Sequence, residues 1–126
     1  MVKVEPKYPI VSYIGGGRIE VREPITVYLD GAICNNFTIP KGYVCNGPTI
    51  PRMLTPIFPR LEDSFYPAII HDYLYDTGIF DKEVSDELFL ALMYEYDVKP
   101  WRARNQFRAV DWFGQGNWDK CRGVDG

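Results

Sequence analysis

Eleven consecutive residues, Phe65 to Tyr75, hold two side chains able to change charge near neutral pH or below, His71 and Asp72; the other nine are apolar, aromatic or proline. An imidazole titrates near neutrality and carboxylates suit hard or borderline cations, so His71, Asp72 and Asp86 are candidates for acid and base chemistry or for one divalent metal. Neighbours on a helix point about 100° apart, so His71 and Asp72 cannot serve one another and each needs help elsewhere. Asp86 is the first candidate partner for His71. On a helix it lies about 20° from the row of Met93 and can face the preceding helix. Tyr75, one turn beyond His71, can bond to it or cover it, and Asn46, Thr49 and Arg52 of CNGPTIPR are further candidates for the same cluster. Two readings follow. In one, His71, Asp72 and Asp86 form a reactive or metal site. In the other they belong to a buried polar network that fixes the docking of helices, and no cofactor is expected. No HExxH-like spacing is present, and the network is preferred.

Cys34, Cys45 and Cys121 with the single His71 could supply four zinc ligands. Their spacing is not that of a zinc knuckle, which favours ordinary thiols. Three cysteines without close pairing also argue against a secreted disulfide framework.

A second constellation is Trp101, Arg104, Arg108 and Trp112. Eleven residues is about three helical turns, so the two tryptophans share a stripe with Arg108 close to it and Arg104 at its edge. Exposed Trp with Arg is the composition of an interface hot spot. The alternative is that the tail GNWDKCRGVDG folds back and Trp118 packs on the stripe. Fourteen Lys and Arg against seventeen Asp and Glu give a net charge of -3, and ten acids with the one base Lys82 lie between Glu62 and Asp97. That balance disfavours non-specific binding to nucleic acid and stacking on single strands, although Lys99 to Arg108 holds four bases and no acid, and no sequence-specific nucleic-acid partner is expected.

The elements that must position these groups fit one domain of 126 residues. Ten Pro and eleven Gly argue for a loop-rich fold rather than long helices. Residues 1–47 form a β-rich half of short runs, VKVEPKYPIVSYI, RIEVRE, ITVYLDG and FTIPKGYV, with Gly15 to Gly17 a hairpin or bulge. In ITVYL, Ile25, Val27 and Leu29 fall on one face and Thr26 and Tyr28 on the other. Residues 48–63 are an ordered proline-rich loop. Three helices occupy 64–114: one capped by Ser64 and ending near Gly78, one capped by Asp81 with Val84, Leu88, Ala91, Leu92 and Tyr96 as its apolar row, and one from Pro100 to Gly114 with Ala103, Phe107, Val110 and Gly114 inward. Residues 115–126 are a tail. The fold class is α+β, a small antiparallel β unit packed against three helices. No apolar run reaches the length of a membrane span, and the N-terminus lacks the apolar core of a signal peptide, so the cytosol is the expected compartment during synthesis.

The succession FTIPKGYVCNGPTIPR, YPAIIHDYLYD, VSDELFLALMYEYDV and FRAVDWFGQGNW resembles a phage and prophage family known as domain of unknown function 1353, over about Phe37 to Trp118. Where many members carry Asp and Ser in the turn, this chain has Asn46 and Thr49, which weakens the charge there. The resemblance implies phage origin and a small accessory gene near tail or lysis functions, and it supplies no reaction. The resulting expectation is a binding or structural component, tail or virion associated, that works with other phage proteins. The rival is a small hydrolase of the cell wall using His71, Asp72 and Asp86, metal-dependent in one version. An inhibitor of a host defence protein is the weaker third reading, and oligomeric state is left open.

Overall fold

The computed structural model describes residues 2–15, 18–29, 36–45 and 65–123, and in it the turn-punctuated runs of the N-terminal half become six strands. These are β1 (Val2–Glu5), β2 (Val11–Gly15), β3 (Arg18–Val21), β4 (Ile25–Leu29), β5 (Phe37–Ile39) and β6 (Val44–Cys45). They form two three-stranded antiparallel sheets, ordered β1-β4-β5 and β2-β3-β6. Each time the chain changes sheets it passes a proline: Pro6 and Pro9 between β1 and β2, Pro24 between β3 and β4, Pro40 between β5 and β6. A residue without an N–H and with a fixed φ cannot continue a ladder, so pairing stops there and the strand direction resets. The run VKVEPKYPIVSYI is accordingly two strands in different sheets.

Alternation sets the buried faces. Val2 and Val4 of β1 and Ile25 and Val27 of β4 are buried, and Val4 lies opposite Val27 and Ile25 opposite Ile39. On the other face of the β4–β5 pair the hydroxyls of Thr26 and Thr38 meet at 3.1 Å. Ile19, Val21 and Cys45 are the buried members of the second sheet. A bulge falls between Tyr13 and Gly15, and Gly15 takes φ +93, a backbone that side chains resist. The chain divides into two compact units, Met1–Gly47 and Pro48–Gly126.

The second unit carries four helices: α1 (Phe65–Thr77), α2 (Lys82–Glu95), α3 (Pro100–Phe113) and α4 (Gln115–Cys121). α1 stops at Gly78, whose φ of +63 turns the chain while its N–H donates to Leu74 O at 2.9 Å. Asp81 caps α2 by accepting from Val84 N at 2.8 Å. Phe89, Met93, Val98 and Ala103 form a core cluster flanked by Ala68, Leu90, Phe107 and Val110, so α3 turns the expected face inward. None of the helices among the described residues is long and apolar enough to cross a membrane.

Two expectations are corrected here. The buried residues of α2 are Ser85, Asp86, Leu88, Phe89, Leu92 and Met93, and the centre of their arc lies about 120° from Val84, which is 43% exposed. Apolar periodicity counts Ser85 and Asp86 as outward and so turns the apparent face too far toward Val84. The tail contains a fourth helix. Gly114 ends α3, its N–H bonded to Val110 O at 2.8 Å, but it keeps right-handed helical angles (φ -79, ψ -12) and leads directly into α4. The proline-rich stretch 48–63 and the Ser64 cap lie outside the described residues.

Candidate functional site

Asp86, 1% exposed, is the centre of the cluster. It reaches α1 because the helix buries its polar residues together with its apolar ones. Its Oδ1 accepts from His71 Nε2 at 2.7 Å and from the Tyr75 hydroxyl at 2.7 Å, and its Oδ2 accepts from Lys82 Nζ at 2.8 Å. Lys82 also donates to the carbonyls of Val110 and Asp111, both at 3.3 Å, where α3 ends. One carboxylate thus ties α1 to α2 directly and, through Lys82, both to α3.

The charge states follow from the surroundings. Burial opposes ionisation of Asp86, but the bonds from His71, Lys82 and Tyr75 outweigh it and hold the carboxyl below its ordinary range. Burial pushes His71 below its usual value against the pull of Asp86, and the Lys82 charge adds to the fall. Burial and then the bond to Asp86 push the Tyr75 hydroxyl upward, so it stays a donor. The network is therefore a single ion pair, Asp86 with Lys82, bordered by a neutral imidazole and a phenol. In this state the imidazole donates through Nε2 and carries its lone pair on Nδ1.

Aromatic contacts hold the ring in place. Tyr75 lies on one side of the imidazole at 4.4 Å between centroids and Phe89 stacks at 4.6 Å, tilted by 28°. Beyond Tyr75, Trp118 of α4 meets it edge-on at 5.2 Å, and the Arg122 guanidinium lies 4.4 Å from the Trp118 ring. Arg122 Nη2 donates to the carbonyls of Tyr75 and Asp76, capping the end of α1. A Cβ at Gly114 would stand 2.6 Å from the Tyr75 hydroxyl, and one at Gly78 would stand 2.8 Å from Arg122. The pairing of His71 with Asp86 has the geometry of an acid–base dyad, set inside a packed aromatic stack.

Of the residues singled out from the sequence, His71, Asp86 and Tyr75 come together and Asp72 does not join them. Asp72 stands around the helix on the half-buried side, where its charge is felt by the Cys121 thiol. Among the described residues no three His, Cys, Asp or Glu side chains are grouped so that they could hold a metal ion. The set His71, Asp72 and Asp86 is thus separated, and its most buried carboxylate already faces an ammonium. Cys45 is buried and Cys121 donates to Asp76 Oδ1 at 3.4 Å; Asn46, Thr49, Arg52 and Cys34 lie outside the described residues. Lys82 was missed by the sequence reasoning. Its signal was available, as the one base among ten acids and four residues ahead of Asp86 on the same helix. Arg122 was missed with α4, and Trp118, expected on the stripe of α3 in one reading, belongs here.

The second constellation is laid out along α3. Trp101 is 55% and Trp112 71% exposed, and Arg104 and Arg108 between them are exposed as well. Trp118 packs on Tyr75 instead of on this stripe.

The model of a family described as a protein of unknown function (DUF1353) matches residues 19–110. No curated protein and no solved structure matches the chain.

Proposed function

This chain belongs to the DUF1353 family, and from that premise we propose that it is a phage-encoded accessory protein that acts by binding, a tail or virion component that engages another phage protein through α3. The observation that carries this reading is the exposed row Trp101, Arg104, Arg108 and Trp112 on one helix. Two indoles supply large rigid contact area and the arginines between them supply directed donors. Lys99, Arg102, Arg104 and Arg108 with no acid among them match a partner surface rich in carboxylates. The His71 and Asp86 network supports the same reading, because every oxygen of its carboxylate is occupied by donors from the protein's own helices. The test is quantitative mass spectrometry of purified particles of the phage carrying the gene. A fixed copy number per particle is expected, and absence from the particles overturns the virion assignment.

One observation favours a hydrolase as the second reading, the 2.7 Å contact between His71 Nε2 and Asp86. Such an enzyme would use the imidazole as acid and base after the aromatic cover opened. Asp72 would then serve from outside the pair, and a metal would enter only by displacing Lys82.

A further inference from the structure

We infer that α4 is a lid on the His71–Asp86 pair, one that leaves α1 by local unfolding while the other three helices stay docked. The inference rests on the hydrolase reading for its use and names the element that would admit a substrate. Tyr75, 4% exposed, touches the imidazole and donates to Asp86. Its edge-on neighbour from α4 is Trp118, and the Arg122 guanidinium lies 4.4 Å from that indole. Arg122 also donates to the carbonyls of Tyr75 and Asp76, and Cys121 Sγ donates to Asp76 Oδ1. All of these tethers end on two consecutive residues in the last turn of α1.

A segment opens readily on its own where it buries few apolar groups. α1 contributes Ile69, Ile70 and Leu74 to the interior, α2 contributes Leu92 and Met93, and α3 contributes Ala103, each no more than 1% exposed. α4 contributes no side chain of this kind among the described residues. Trp118, Asp119 and Cys121 are half-buried, and Gln115 and Lys120 are exposed. Seven residues are also too few to keep a helix once undocked. The tethers therefore hold α4 folded, and losing them both frees it and melts it.

The joint with α3 suits this motion. Gly114 begins the segment, and without a side chain its backbone can turn through a wide range of angles. The end of α3 stays held when α4 leaves, because Lys82 of α2 donates to the carbonyls of Val110 and Asp111. With α4 away, Tyr75 loses Trp118 and keeps its hydroxyl bond to Asp86. On that side the imidazole then lies behind a single ring open to solvent.

His71 is the one histidine of the chain, so acylation by diethyl pyrocarbonate, read by mass spectrometry of its peptide, reports on this imidazole alone. On the full chain, Trp118→Ala and Arg122→Ala should each speed the reaction by about tenfold or more, as the loss of an aromatic pair or a cation–π contact implies. Tyr94→Ala, at an exposed site on α2, should leave the rate at the wild-type value. In wild type, hydrogen exchange should find the amides of α4 opening faster than those from Ile69 to Leu74. Urea midpoints taken alongside separate opening of the lid from loss of the whole fold. Amides of α4 that exchange no faster than those of α1 overturn the proposal. So does a His71 rate that neither substitution raises, or one that follows the urea midpoint across all three variants. A lid that opens without any hydrolysis would refute the hydrolase alone, and hydrolysis with α4 closed would refute the lid alone.

Discussion

Replacing Asp86 by Ala removes, in one step, the acceptor of three buried or half-buried donors. Leaving one member of a buried ion pair without its partner costs about 3 to 5 kcal/mol, and a neutral donor without an acceptor costs about 1 to 3 kcal/mol. These overlap rather than add. Lys82 keeps the carbonyls of Val110 and Asp111, and its long stem can swing the ammonium toward water. The expected loss is about 3 to 5 kcal/mol, a large share of the stability of an ordinary domain. Asp86→Asn should cost less, because its amide oxygen can still accept from His71 and Tyr75. Urea unfolding at neutral pH, with the slope compared between variants, reads both values. The pH dependence has a defined sign. The folded pKa of His71 lies below 6.5, so the unfolded chain takes up that proton first, and stability is complete above 6.5 and falls as the pH drops below it. The folded pKa of Asp86 lies below 3.8, which adds a second loss beneath that value, and Asp86→Ala should abolish this lower stage. A cost under about 1 kcal/mol for Asp86→Ala would refute the reasoning, since a carboxylate with three donors cannot be that dispensable if it joins the helices.

His71→Ala should lower stability by about 1 to 3 kcal/mol, leaving Asp86 one donor short, with no stoichiometric metal in wild type by elemental analysis and no effect of chelator on thermal unfolding. One equivalent of zinc that disappears with His71 would instead support the hydrolase. Ile70→Ala and Leu74→Ala, both truncating fully buried side chains of α1, should each cost about 2 to 5 kcal/mol by denaturant midpoint. Gly114→Ala should destabilise because its Cβ would meet the Val110 carbonyl and the Tyr75 hydroxyl, and Tyr75→Phe should relieve only the second part of that cost in a double-mutant cycle.

The parts of this fold legible in the sequence are those where one physical rule acts alone. α1 reads as buried because it is apolar on nearly all sides, and its two polar residues announce that partners are needed. Asp86 follows from helix geometry. β4 alternates cleanly because one of its faces is solvated. The face of α2 was misjudged because Ser85 and Asp86 are buried, and a pattern that sorts residues by polarity assigns them to solvent. α4 was unreadable because Gly114 is a stop by residue type but holds right-handed angles, a choice made by the packing of Trp118 on Tyr75. The two sheets were concealed since prolines mark interruptions without saying which strands pair. Lys82 was a surface charge by type, and its role emerges only when α3 brings two carbonyls to it.

The binding account rests most directly on Trp112. If the proposed binding partner exists, substitution of Trp112 by Ala, measured by calorimetric titration against that purified partner, should weaken affinity by about 30-fold or more, as expected of an interface anchor, while the thermal midpoint moves by no more than about 2 °C. Unchanged affinity, or a midpoint that collapses together with binding, would contradict it.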